Sequence, residues 1–156
     1  LSEDLGIDIA SAKGFIDGYL NTYPEIKKYM DEIIKKAYET GYVKTIMNRK
    51  RKIEELNSRN YLVRTQGERI ALNTPIQGSS ADILKKAMIE IYQEIKDKDL
   101  KSKMLIQVHD ELVFNVLNSE LDVVKEIVER VMENTYQLNV PLKVDIETGS
   151  DWYEAK

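Results

Sequence analysis

Two acidic residues stand side by side at Asp110-Glu111, between the apolar runs 104–109 (MLIQVH) and 112–117 (LVFNVL). A two-residue gap is hairpin spacing, yet such loops favour Asn-Gly or Asp-Gly, whose residues accept positive φ. Adjacent carboxylates repel one another and do nothing for the turn, but a divalent cation set against them would make the pair tolerable. Hard oxygen ligands on a rigid hairpin suit Mg²⁺, which takes one or two protein carboxylates together with water and substrate phosphate. One such pair is too few for two metals, so a two-metal site needs a further ligand from elsewhere. A solvated acidic turn satisfies the same dipeptide. Gln107 and His109 lead into the acids on one face of the expected first strand, where the histidine has both a structural and a site reading.

A second pattern is polar. Arg69, Asn73 and Gln77 are spaced by four, which on a helix gives one stripe drifting ~40° per step. All three side chains donate hydrogen bonds. In the minor groove every base pair offers purine N3 or pyrimidine O2 acceptors, so a row of donors could test pair geometry without reading sequence. An ordinary solvated helix face explains the same spacing. The charge distribution favours a nucleic-acid partner: Lys44, Arg49, Lys50, Arg51, Lys52, Arg59, Arg64 and Arg69 face only Glu54, Glu55 and Glu68. That is a local charge of +5 in a chain whose net charge is −4, which suggests one positive face on an acidic body, although a solvated helix-and-loop surface satisfies the same charges. Two function classes remain open: a metal-dependent phosphoryl-transfer enzyme acting on nucleic acid, and a non-catalytic nucleic-acid-binding module with a basic face. The acidic hairpin tip discriminates, because a pure binder would avoid carboxylates beside phosphate.

Composition narrows the field further. With no cysteine and one histidine among 156 residues, disulfide scaffolds, thiol nucleophiles and multi-histidine metal sites are excluded. A 42% hydrophobic, 32% charged chain is ordinary for a soluble globular protein. No apolar run approaches the ~20 residues that span a bilayer, so no membrane partner is expected. The chain opens at Leu1 in what reads as the middle of a sequence, as part of something larger would.

The elements that must position these residues follow from periodicity. Residues 9–20 give a weak helical pattern; a clearer helix starts near Pro24, carries Ile26, Tyr29, Met30, Ile33 and Ala37 along one face, and ends at Gly41. Residues 42–64 have no sustained period and read as an exposed, loop-rich basic segment. Thr65 and Glu68 have capping-box spacing for a helix to about Gln77, interrupted near Pro75 and Gly78; Ser79 and Asp82 repeat the signature before a helix over about 80–96. The acidic hairpin comes next. Ser119 then caps a helix with Leu121, Val124, Val128, Val131 and Met132 inward, and 140–147 (VPLKVDIE) alternates as a half-solvated strand. Helices, then hairpin, helix and strand make an α+β fold whose three strands share one antiparallel sheet packed on helices.

Residues 107–114 (QVHDELVF), with 68–84 (ERIALNTPIQGSSADIL), closely resemble the C-terminal part of bacterial family A DNA polymerases. GYVKTIMNRKR at 41–51 is similar to that family's Gly-Tyr-Val-x-Thr segment with its Arg-rich end, and DWYEAK to its chain terminus. The likeness spans essentially the whole chain. It implies a right-hand polymerase, with 1–64 the C-terminal part of the fingers carrying the basic template-side segment and 65–156 the palm portion carrying the Asp-Glu hairpin. Asp110 matches the metal-binding aspartate of the family's third motif and Glu111 its companion acid, so both are implied catalytic and Mg²⁺-binding residues. Arg69, Asn73, Gln77, Gln107 and His109 match residues around the primer–template minor groove and primer terminus; Arg49 and Arg51 match, more loosely, the basic turn near the template, where Lys50 stands in place of the usual Arg and keeps the charge without the bidentate fork. Asn48 stands where Gly is frequent, and Asn tolerates the left-handed conformation that such a turn needs.

The resemblance also marks what is absent. No Asp-Tyr-Ser-type motif carries a first catalytic aspartate, and no Phe-Gly-x-x-Tyr-Gly helix is present to bind the nucleotide. The implied whole enzyme is DNA-directed, acts on primer–template DNA with deoxynucleoside triphosphates and a two-metal Mg²⁺ site, and works in the cytoplasm. The chain alone, holding one side of that site and no nucleotide-binding residues, is expected to be inactive and open to self-association along an uncovered sheet edge.

Overall fold

The computed structural model describes residues 1–155, which form two compact units dividing between Ile76 and Gln77. Among the described residues no helix is long and apolar enough to cross a membrane.

The first unit opens with a single helical turn, α1 (Ser2–Leu5), and then α2 (Ile9–Thr22). Asp8 caps α2: its carboxylate accepts from the Ser11 N–H at 2.9 Å and the Ser11 hydroxyl at 2.6 Å. Helix α3 (Pro24–Thr40) has Pro24 in its first turn and Gly41 at its C-cap with φ 73°, as the sequence predicts. The segment expected to be loop is more ordered. Strand β1 (Tyr42–Lys44) pairs antiparallel with β2 (Lys50–Lys52), and a 3₁₀ turn over Glu54–Asn57 follows. Three-residue strands are too short to show a period of two, and Lys50-Arg51-Lys52 is exposed throughout, so nothing in the sequence alternates. Asn48 holds φ 64° in the connecting turn, as the substitution for Gly requires. Ala37, Val43, Ile53, Leu56 and Ala71 close the core beneath, with Ile33 and Ile70 at its margin.

Helix α4 (Tyr61–Asp97) corrects the sequence reading most clearly: it is one helix of 37 residues that runs through Pro75, Gly78 and Ser79 without a break. Neither predicted capping box is a helix start. Thr65 lies inside the helix and donates back to the Tyr61 carbonyl, while Glu68 accepts from the Tyr38 hydroxyl at 2.8 Å. The cap is Asn60, whose side-chain oxygen accepts from the Leu62 N–H at 2.9 Å. Proline removes one intrahelical bond and crowds the preceding turn, but here packing prevails. Ala71 is buried in the first core, and Leu84 and Ala87 are buried further along the helix.

In the second unit, the later part of α4 packs Ala87, Ile91 and Ile95 against Val124, Ile127, Val128 and Val131 of α5 (Leu121–Asn134). Each of the isoleucines and valines contributes ~1.5–3 kcal/mol on burial. Ser119 does not cap α5: it lies in a 3₁₀ turn over Asn118–Glu120, and Glu120 takes the cap position. Strands β3 (Lys103–Val108) and β4 (Glu111–Asn115) form the predicted antiparallel hairpin, with Met104, Leu112 and Phe114 against the core. The expected third strand is not formed. Residues 141–147 alternate in burial, with Val140 exposed, and Ile146 reaches the core, but 140–147 carry no strand pairing, so the hairpin stands as a two-stranded sheet.

Candidate functional site

The hairpin tip differs by one residue from the sequence expectation. Glu111 pairs with Val108, so the two-residue turn is His109-Asp110 and Glu111 belongs to β4. His109 has φ 52°, and Asp110 does not share the positive sign. Histidine tolerates this region better than most residues other than glycine, and Glu111 in the strand avoids it altogether. Gln107 and His109 therefore do not share a strand face; what the structure brings together is the Gln107 amide and the His109 carbonyl, 2.9 Å apart. Gln107 thus braces the backbone of the turn that presents Asp110.

A β-bulge adjusts the faces. Met104 is opposite Phe114, while Ile106 is opposite Val113, which leaves Leu105 as an extra residue in β3. Cross-strand partners share a face, so Gln107, opposite Leu112, lies on the core-facing side with Met104. Glu111, opposite Val108, lies on the other side with Ile106 and Val113. Asp110 and Glu111 are exposed, and among the described residues neither carboxylate has a hydrogen bond or ion pair. Two unpartnered hard oxygen donors fit Mg²⁺ as part of a site. They do not make a whole one: among the described residues no three His, Cys, Asp or Glu side chains gather where a metal could sit.

The base of the same hairpin holds two residues that sequence reading missed. Glu120 accepts from the Lys101 N–H at 3.0 Å, the Ser102 N–H at 2.9 Å and the Ser102 hydroxyl at 2.6 Å. The Ser102 oxygen in turn accepts from the Leu117 N–H at 3.2 Å. The Lys101 N–H and the Ser102 hydroxyl hold the Glu120 carboxyl below the usual glutamate value. Nothing in the sequence signals this contact, because its partners lie 18 residues apart.

The basic residues gather in the first unit. Arg49, Lys50 and Arg51 are exposed on the β1–β2 turn and β2. Lys50 lies over the Tyr42 ring at 4.8 Å, and Arg51 donates to the Thr74 hydroxyl of α4 at 3.3 Å. Lys44 stands directly opposite Lys50. Like charges facing one another across a strand pair are destabilising, and an anion would relieve them. Arg64, counted in the basic cluster, is engaged internally with the Ser58 and Arg59 carbonyls at 3.0 Å each. Arg69, Asn73 and Gln77 are all exposed on the unbroken α4, so the helix required by their spacing is present. Arg69 and Asn73 belong to the first unit with the basic hairpin; Gln77 opens the second, which also holds Gln107, His109, Asp110 and Glu111.

Comparison with known proteins gives a consistent picture. The family model for DNA polymerase family A matches residues 1–154. The chain is 49% identical over its full length to DNA polymerase I of Bacillus subtilis (strain 168), and likewise 49% identical to that of Lactococcus lactis subsp. lactis (strain IL1403). In each case it spans 18% of the relative's length. It is also similar to the POL domain of Pol1 from M. smegmatis in a complex with DNA primer-template and dNTP. The TM-score there is 0.96 at 41% identity, covering 99% of this chain and 27% of the other.

Proposed function

The chain belongs to DNA polymerase family A, and from that premise we propose that it supplies one side of the active site for DNA-directed DNA synthesis in a longer polymerase. In this reading residues 1–64 are the C-terminal part of the fingers and 65–156 the palm portion. The basic hairpin with Arg49, Lys50 and Arg51 holds template-strand phosphates. Arg69, Asn73 and Gln77 donate to minor-groove acceptors that every base pair presents, so they respond to pair geometry and not to sequence. Gln107 and His109 shape the turn beside the primer terminus.

Asp110, with Glu111 on the neighbouring strand position, would hold Mg²⁺; when bound, that cation activates the primer 3′-hydroxyl and neutralises charge on the phosphates. The reaction is attack of that hydroxyl oxygen on the nucleotide α-phosphorus, with pyrophosphate leaving. This chain's contribution is to orient: an exposed carboxylate on a braced turn has no competing internal partner to release before it acts. The M. smegmatis neighbour was solved with primer–template and nucleotide, which supports the same partners here, and the bacterial relatives support a cytoplasmic setting. The 156-residue chain alone lacks the Asp-Tyr-Ser-type motif and the nucleotide helix, so it is not expected to extend a primer. Alone, it also leaves Leu105 and Ile106 exposed on a two-stranded sheet, and concentration-dependent association through that edge would accompany the loss of activity.

The observation that carries this reading is the hairpin tip, where an unpartnered Asp110-Glu111 pair sits within a chain that aligns end to end with polymerases. Asp110→Asn keeps size and turn compatibility while removing the charge. In the complete polymerase, single-turnover nucleotide incorporation should fall ~10³-fold, the several kcal/mol that a bound metal contributes. Melting temperature and DNA affinity should hold. Glu111→Gln should cost less, since adjacent residues diverge and both cannot face one metal equally. A stable, DNA-binding Asp110→Asn enzyme with an undiminished rate would sink the assignment and leave the basic-face binding module in its place.

A further inference from the structure

The β3–β4 hairpin is short, two-stranded and open at both edges, and such a unit is barely stable on its own. One face rests on the core through Met104, Leu112 and Phe114. Its other anchor is polar and sits at the far end from Asp110. Ser102 immediately precedes β3 and Leu117 lies two residues beyond β4; both hang on the Glu120 carboxylate, Ser102 directly and Leu117 through the Ser102 oxygen. Glu120 is in turn the residue from which α5 begins, and α5 supplies four buried side chains to the core. The carboxylate therefore ties both legs of the hairpin to a helix anchored in the core of this unit.

We propose that Glu120, acting through Ser102, is a positioning residue for nucleotidyl transfer: it fixes the angle at which the hairpin presents Asp110. This rests on the reading of Asp110 given above. The lever is long. Seven steps of ~3.3 Å each carry the chain from Ser102 to His109 in the turn, so a rotation of about 3° at the base moves the tip by ~1 Å. Misplacement of that size costs ~10²-fold in rate when geometry is what the site contributes. Glu120→Gln keeps the shape but turns an NH₂ group toward N–H donors that now find a carboxylate. Ser102→Ala removes the hydroxyl that relays the hold to Leu117, while the methyl occupies the same buried position.

The test is chemical-quench single-turnover incorporation by the complete polymerase carrying Glu120→Gln, Ser102→Ala or Asp110→Asn, with amplitude and rate constant fitted separately. Amplitude reports the fraction of folded, competent enzyme, so a variant that folds poorly is still read per active site. The clamp variants should lower the rate constant about 10- to 100-fold, with primer–template and nucleotide dissociation constants within about twofold of the parent. A purely structural role would lower amplitude and melting temperature and leave the rate constant per active site unchanged; that result overturns the proposal. So does a rate loss matched by an equal loss of DNA affinity, which would mean general disruption of the surface. If Asp110→Asn leaves the rate intact, the reading of Asp110 fails and this inference falls with it. If Asp110→Asn abolishes turnover while both clamp variants run at the parental rate, only the positioning role is refuted.

Discussion

Gly67 sits inside α4, where replacing glycine by alanine ordinarily stabilises a helix by about 1 kcal/mol. Here the surroundings oppose that gain. A β-carbon at Gly67 would meet the Glu55 Cβ, the Leu56 Cδ2 and the Leu56 backbone nitrogen, each at 3.1 Å. The leucine methyl can turn away, but the backbone nitrogen belongs to a 3₁₀ turn whose Leu56 is buried in the core, so it has little room to retreat. Overpacking of this kind costs ~1–3 kcal/mol, which leaves Gly67→Ala destabilising by roughly 1 kcal/mol after the helix gain. Gly18, in α2, provides the control: nothing lies within 4 Å of its β-position, so Gly18→Ala keeps the full gain. For a chain of this size 1 kcal/mol moves the midpoint by ~2–4 °C. Thermal unfolding by circular dichroism should therefore move in opposite directions for the two variants. Because only Ile53 separates the 3₁₀ turn from Lys50–Lys52, Gly67→Ala should also weaken DNA binding. If Gly67→Ala raises the midpoint as Gly18→Ala does, the close approach of α4 to the turn is wrong.

Two further expectations concern charge. DNA binding by the chain should be indifferent to sequence and steeply salt-dependent: with ~4 phosphates neutralised, log K against log[salt] should slope near −3.6, and Lys50→Ala should shallow it by ~0.9; a flat dependence counts against the basic hairpin. The Glu120 carboxyl is held below its ordinary value of 4.5. Its contribution is therefore complete above that value and is lost as pH falls through the lower folded value. Urea unfolding between pH 7 and 3 should show Glu120→Gln losing that part of the acid sensitivity relative to the parent. Identical pH profiles would remove Glu120 from the account.

The parts of the fold legible in the sequence are those written in local chemistry. Pro24 and Gly41 bound α3 because ring geometry and positive φ act within a residue or two. Asn48 is legible only through the resemblance, as a residue that tolerates the left-handed turn where Gly is frequent. The inward residues of α5 follow their helical period, and Val124, Val128 and Val131 are buried as it requires. Failures occur where distant packing overrides a local rule. Pro75 and Gly78 argue for a break, yet α4 continues because buried residues on either side hold it. Thr65 and Ser119 look like caps, but Asn60 and Glu120 occupy those places. The acidic dipeptide was legible as a hairpin tip; its register was not, because the choice between 109–110 and 110–111 turns on which residue accepts positive φ. Lys44 opposite Lys50, and Glu120 beneath Ser102, exist only once chain segments meet.

The extra residue in β3 has a consequence for how this hairpin can change length over generations. Loss of the codon for Leu105 would let Ile106 follow Met104 directly, and every pair from Val113 to the turn could remain as it is. Loss of Val113, on the strand without the bulge, would instead slip the residues beyond it by a position and exchange their faces. A bulge also deepens local twist, so a chain without Leu105 would keep its ladder while Asp110 points elsewhere. Pairing and direction are thus inherited separately in this hairpin, and a deletion silent for the first is not silent for the second.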